Sequence, residues 1–208
     1  MVNVKTYHCF PTLIYEFKGV DKPSHLRMLN ILDFDYEKGR RSFFSYKQHS
    51  SPYPIKDDLY RHLAFKPLAK IIMKYSKDIL KESGYIFDKI EMTSMWGNDL
   101  RIGDAHPPHT HSNNTLSGVY YLRASKNTSP IQFFDPRPQA SVFKPRNKPN
   151  WNNANMIQFD SVEGVGFIFP AWLMHWVPPT DAERVSVSWN VIVRGDYGEP
   201  NTLQNAHI

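Results

Sequence analysis

Residues 106–122 read His106-Pro107-Pro108-His109-Thr110-His111-Ser112-Asn113-Asn114-Thr115-Leu116-Ser117-Gly118-Val119-Tyr120-Tyr121-Leu122. A cluster of imidazoles runs straight into a segment of strand-like composition. Two histidines spaced i, i+2, here His109 and His111, point to one side of an extended chain. Far downstream, Phe167-Ile168-Phe169-Pro170-Ala171-Trp172-Leu173-Met174-His175-Trp176 offers a short apolar strand, a proline break and one more histidine. A third imidazole delivered by a separate strand closes a facial metal site across a barrel. The bland reading is that the first three histidines belong to a loop and that His175 is a hydrogen-bonded core residue between Trp172 and Trp176.

The bulk properties suit such a barrel. The 208 residues are enough for one domain with a real core. Hydrophobic content of 41% against 22% charged residues excludes global disorder. Cys9 is the only cysteine, so neither an intrachain disulfide nor a thiolate zinc cluster can form. No signal peptide and no apolar run of membrane-spanning length is read, so a soluble, cytoplasmic protein is expected. The net charge of +5 permits an acidic or nucleic-acid partner. The basic residues of 143–148 and the aromatic-flanked Arg40-Arg41-Ser42-Phe43-Phe44 form no recognised module, and nucleic acid is disfavoured as a substrate. A small molecule or a peptide side chain is the expected partner, a membrane is not, and a homo-oligomer is permitted.

Outward from the histidines, the periodicity divides the chain. An early strand interrupted at Pro11 is expected within Thr6–Lys18, and a helix over Pro23–Leu32. Residues 39–56 read as a turn-rich connector. Asp57-Asp58 then precedes apolar residues at helical spacing up to Leu80, with Pro67 predicting two helices or a kink and Gly84 ending the pattern. From Tyr85 the spacing becomes strand-like. Trp96-Gly97-Asn98-Asp99 is expected to turn the chain. Strands are predicted at Thr115–Leu122, Ile131–Phe134, Ala140–Phe143, Asn155–Asp160, Val165–Phe169 and Val185–Val193. Helices followed by many short strands indicate an α+β fold with an antiparallel sandwich or barrel. One domain spanning 1–208 is expected: an N-terminal strand and supporting helices over 1–84, a barrel core over 85–195 and a tail over 196–208.

Neutral imidazoles bind iron, zinc, copper and nickel, and spacing alone does not choose among them. The carboxylates nearest the cluster in sequence are Asp104 and Asp135, either of which could join two histidines in the familiar iron arrangement. In the last strand, Arg184, Ser186, Ser188 and Asn190 alternate with Val185, Val187, Trp189 and Val191. Its polar face is either an ordinary solvent face or, since arginine forks onto carboxylates, a seat for an acidic co-substrate beside a metal.

Taken together, Pro108-His109-Thr110-His111, Leu116-Ser117-Gly118-Val119-Tyr120-Tyr121-Leu122, Phe133-Phe134-Asp135-Pro136-Arg137, Gly166-Phe167-Ile168-Phe169-Pro170 with Leu173-Met174-His175, and Arg184-Val185-Ser186-Val187-Ser188-Trp189-Asn190 resemble the 2-oxoglutarate–Fe(II) oxygenases, specifically the group with a His-Thr-His…Ser-Gly-Val-Tyr-Tyr signature. The resemblance covers Trp96 to Val193. It implies a double-stranded β-helix, a cupin-like jelly-roll barrel with supporting helices. It places metal ligands at His109, His111 and His175, and 2-oxoglutarate binding at Arg184 and Ser186 with Tyr121 donating a hydrogen bond. Tyr121, rather than Tyr120, is expected to face inward with Ser117 and Val119. The implied activity is an Fe(II)- and 2-oxoglutarate-dependent dioxygenase that hydroxylates a substrate and releases succinate and carbon dioxide. One departure stands out: His111 occupies the position where the family carries a carboxylate. Three histidines, or Asp135 or a bound ligand in place of the missing acid, would then complete the metal site. The competing functions are a three-histidine cupin-like metal enzyme without 2-oxoglutarate, and a non-enzymatic jelly roll with a degenerate site. Asn98 and Asn190 are candidates to brace the site, Arg137 to engage substrate or lock its loop, and Trp172, Trp176 and Trp189 to wall the cavity or pack the core.

Overall fold

A computed structural model of the chain describes residues 5, 9–37, 58–137 and 150–208, with side chains as far as Leu32 in the first helix. The 39–56 connector, the strand expected at Ala140–Phe143 and the two basic segments lie outside the described residues. In chain order come β1 (Tyr15–Lys18), α1 (Lys22–Glu37), a 3-10 turn (Leu59–Arg61), α2 (Lys66–Glu82), β2 (Lys89–Leu100), β3 (His106–His109), β4 (Leu116–Arg123), β5 (Ile131–Phe134), β6 (Met156–Phe159), β7 (Val165–Pro170), β8 (His175–Val177), β9 (Arg184–Arg194), β10 (Asp196–Tyr197) and β11 (Ala206–His207).

The strands form a five-stranded sheet in the order β1-β7-β4-β9-β2 and a four-stranded sheet in the order β3-β8-β5-β6, with β10 and β11 paired by themselves. Neighbouring strands in both are antiparallel. The two sheets enclose an apolar layer of Val119, Tyr121, Ile131, Phe133, Phe167, Phe169 and Leu173. The fold is a double-stranded β-helix with antiparallel sheets and few helices.

The larger core lies on the other face of the five-stranded sheet. There Met28 and Leu32 of α1 and Leu68, Ile72, Ile79 and Leu80 of α2 cover Met92, Tyr120, Ile168, Val187, Trp189 and Val191. Each fully buried side chain of this size stabilises the fold by roughly 1.5–3 kcal/mol, so the helices gain their stability from the sheet they cover. A buried polar tie fixes α1 in place. His25 Nδ1 meets the Tyr120 hydroxyl at 3.1 Å, and Nε2 meets the Leu122 carbonyl at 2.9 Å. Because that carbonyl only accepts, Nε2 carries the proton and the Tyr120 hydroxyl donates to Nδ1. The strict alternation of β4 thus sends Tyr120 to the helices and Tyr121 between the sheets.

One pair of alternatives is decided, and three expectations are corrected. Of the two outcomes expected at Pro67, the chain forms two helical segments rather than a kink: the 3-10 turn precedes α2, and Pro67 lies in the first turn of α2, where a residue whose N–H is not needed by the helix can be proline. Asp58 does not serve the front of that helix: α2 has no acidic residue in its first turn, and Asp58 instead bridges to Met95. Residues 96–99 do not turn the chain. They continue β2, paired with β9 through to Leu100 opposite Arg184. Gly97 is there for close packing, since a Cβ would stand 2.7 Å from Leu32 Cδ2. Among the described residues the early strand is confined to β1, four residues at the edge of the sheet. Among the described residues, no helix is long and apolar enough to cross a membrane.

Candidate metal centre

His109 ends β3 directly opposite His175, the first residue of β8. His175 is also paired with Phe133 of β5, which sets its backbone in the middle of the four-stranded sheet. His111 lies two residues past β3, where its N–H donates to the Ala171 carbonyl at 2.9 Å. One potential ligand atom from each of His109, His111 and His175 lies within 4.8 Å of the others. The rings gather closely, with His109 and His175 centroids 4.3 Å apart and His111 and His175 5.2 Å apart.

The backbone selects the tautomers of two of these rings. His109 Nδ1 donates to the Pro107 carbonyl at 2.7 Å, and His175 Nδ1 to the Leu173 carbonyl at 2.9 Å. In the neutral form of each ring this leaves Nε2 with the lone pair that a metal ligand requires. His111 Nε2 and His175 Nε2 are 3.4 Å apart. Ligands about 2.0–2.1 Å from a shared ion at a tetrahedral angle lie roughly 3.4 Å apart, so this pair fits a metal. Burial pushes the His175 imidazole down to about 3, with His109 adding to the effect and the Leu173 carbonyl opposing it. Burial, then His109, pushes His111 down to about 4. Both are neutral and ready to bind at pH 7.

Neither candidate carboxylate joins them. Asp135 accepts from the Arg137 Nε at 3.0 Å, Nη2 at 2.7 Å and backbone N–H at 2.9 Å. Arg137 therefore locks this turn and holds the Asp135 carboxyl below the usual carboxylate range. Asp104 accepts from the Arg101 N–H at 3.0 Å. Among the described residues the cluster is entirely histidine.

The polar face of β9 lies on the opposite side from the helix-facing valines and Trp189. Arg184 is buried, 2% exposed, and its guanidinium is 4.9 Å above the Tyr121 ring. Its Nη1 donates to Ser186 Oγ at 3.1 Å and its Nε to Ser161 Oγ at 3.3 Å. No carboxylate among the described residues pairs with it. The Tyr121 hydroxyl is buried nearby without a partner. A buried cation and a buried hydroxyl in this condition are costly unless an anion joins them.

Further along β9, Asn98 Nδ2 donates to Ser188 Oγ at 2.9 Å and its Oδ1 accepts from Trp96 Nε1 at 3.1 Å. Asn190 accepts from Ser117 at 2.6 Å and donates to Ser94 at 3.0 Å. The two asparagines thus knit β2, β9 and β4 together. Trp96 leans on His111 with centroids 5.9 Å apart. The tryptophans named from the sequence lie elsewhere. Trp189 is in the helix-side core, Trp172 is exposed, and Trp176 alternates with the inward His175 and Val177. Sequence reasoning missed Trp96 and Ser161, and for Ser161 no periodic signal exists.

A family model described as "Putative 2OG-Fe(II) oxygenase" matches residues 94–190, just under half of the chain and inclusive of every candidate site residue above. No curated protein sequence matches the chain. Among solved structures, a prolyl-4-hydroxylase from Pseudomonas putida superposes with a TM-score of 0.61 at 12% identity, over 88% of this chain and 94% of that one. The non-heme alpha ketoglutarate dependent epimerase SnoN from nogalamycin biosynthesis gives 0.59 at 12% identity, over 92% and 83%. A prolyl hydroxylase from Trichoplax adhaerens, solved with a peptide fragment of hypoxia inducible factor, gives 0.53 at 13% identity, over 85% and 82%. These likenesses show that the chain shares the fold of these enzymes. At this identity they speak for the fold, and the chemistry rests on the residues.

Proposed function

We propose that the chain is a metal-dependent enzyme built on a three-histidine centre, with Fe(II) as the resident ion. The convergence of His109, His111 and His175 carries this reading. Three neutral ligands leave coordination positions open, and they leave a bound divalent ion with its full double charge. A site with one carboxylate would lower that charge by one. The centre therefore draws anionic ligands more strongly than its carboxylate-bearing counterpart would. Imidazoles accept several borderline metals, so the test is metal titration of the apo protein followed by activity screening with Fe(II). His175→Ala should lower metal affinity by more than the roughly 10–100-fold that loss of an outer partner costs. Undiminished affinity in that variant would remove the centre.

A second reading, use of 2-oxoglutarate as co-substrate, is favoured by the isolated Arg184. In this reading Arg184 and Ser186 hold the distal carboxylate and the Tyr121 hydroxyl donates to it. The apolar layer around Phe133, Phe167 and Phe169 keeps water from the reacting centre. Iron with this co-substrate would supply oxidative chemistry in which dioxygen converts 2-oxoglutarate to succinate and carbon dioxide and hydroxylates a substrate. The substrate itself would be a small molecule or a peptide side chain. Peptidyl proline is one to test, given the prolyl hydroxylases that share the fold. Arg184→Leu should retain metal and weaken 2-oxoglutarate binding by on the order of 2–5 kcal/mol. Lysine should restore only part, because the planar fork is lost. If wild type and R184L bind 2-oxoglutarate equally, or neither binds, the three-histidine enzyme stands without this co-substrate.

A further inference from the structure

One further imidazole stands close to the centre with a buried ring nitrogen that nothing among the described residues engages. His106 begins β3, and its Nε2 is buried without a hydrogen-bond partner. On a regular strand, residues three apart face opposite sides. Here the ladder pairs His109 with His175 and His106 with Val177, so three steps of β3 match two steps of β8. The extra residue is a β-bulge, which re-aims the side chain that follows it. His175 and Val177 are two apart and face the same interior. Their cross-strand partners share that face, so the bulge brings both His109 and His106 to the interior. Burial, then the charge of Arg184, then His109 push the His106 imidazole down to about 3. Its neutral ring retains one donor N–H at pH 7.

We propose that His106 is a further anchor for an anionic ligand held between the three-histidine centre and Arg184, its Nε2–H donating to a carboxylate oxygen of that ligand. The inference rests on the reading of Arg184 as an anion seat and adds a residue that the spacing of the histidines does not reveal. The chemical class of the ligand follows from the anchors. A divalent ion and a guanidinium, with Tyr121 and His106 as neutral donors, suit a short dicarboxylate whose two ends are held separately.

The test uses the full chain loaded with Zn(II), which holds the metal in one redox state, and measures 2-oxoglutarate and succinate affinity by calorimetry. His106→Phe should bind 2-oxoglutarate about 10- to 100-fold more weakly than wild type, the range for losing one hydrogen bond to a charged group. Its metal content should be unchanged. His106→Gln, whose amide N–H reaches a similar position, should recover most of the loss. In nitrogen-edited NMR, a His106 Nε2–H resonance should appear on adding 2-oxoglutarate to wild type. Equal affinity in H106F while R184L loses binding would overturn the role of His106 and leave the anion seat intact. Loss of metal together with affinity in H106F would make His106 a support of the centre, which also overturns the proposal. No binding of either dicarboxylate to wild type would overturn both the proposal and the reading it rests on.

Discussion

Three histidines carry a pH signature that follows from where they lie. His106, His111 and His175 have their imidazoles pushed down to about 3, about 4 and about 3, with burial the first cause in each. In the unfolded chain they titrate near 6.5. Above that pH they are neutral in both states and contribute no slope. As the pH falls below 6.5, the unfolded chain takes up protons that the folded metal-free protein refuses. Stability therefore falls through this window toward pH 4, by about 1.4 kcal/mol per pH unit for each histidine that protonates only on unfolding. Urea denaturation of the metal-free protein at pH 7, 6 and 5 measures the slope. His106→Phe removes one such group, so its stability should fall less steeply between pH 6 and pH 5. Parallel slopes for the two proteins would contradict this account. The same residue marks a limit of sequence reading. The i, i+2 rule found His109 and His111, but a bulge is needed to turn His106 inward, and no local pattern announces one.

At the scale of elements, the legible strands are those with one face on each kind of surface. β9 alternates Ser and Asn with Val and Trp because one side meets the helices and the other the barrel interior, and this alternation could be read directly. β5 was legible to the residue. β3 and β8 were not expected as strands: one contains two prolines among histidines, and the other is three residues long after a proline break. Their pairing is dictated by the rest of the barrel. Residues 97–99 carry the chemistry of a turn, yet packing against α1 overrides it. Gly118 provides a sharper test of such packing. A Cβ there would stand 2.5 Å from the Phe167 carbonyl oxygen and would also run into the Trp189 indole. The first obstacle is backbone of the adjacent strand and cannot rotate away. Gly118→Ala should therefore destabilise the protein by about 1–3 kcal/mol, the cost of overpacking, and thermal or urea denaturation would show it. A neutral result would mean that β4 and β7 separate more readily than their pairing suggests.

Across the whole molecule, the helices, the five-stranded sheet and the centre are stabilised by different interactions. The helix-side core of Met28, Leu32, Leu68, Ile72, Tyr120 and Trp189 contains none of the candidate ligands. The histidines instead belong to the layer between the sheets, where Phe133 and Phe169 pack on His175 with centroids 5.8 and 4.8 Å away. The protein should thus fold without metal and gain from it by mass action. A ligand that binds only the folded state stabilises by about 2.7 kcal/mol at a hundredfold excess over its dissociation constant. Thermal unfolding of the apo protein should be cooperative, and its midpoint should rise with added Fe(II) under anaerobic conditions or with Zn(II). The rise should grow with the logarithm of metal concentration. His111→Phe, which removes one candidate ligand while keeping an aromatic ring against Trp96, should unfold cooperatively yet lose most of that metal-dependent rise. If the apo protein showed no cooperative transition, metal binding and folding would be a single event, and the separation of core from centre would be wrong.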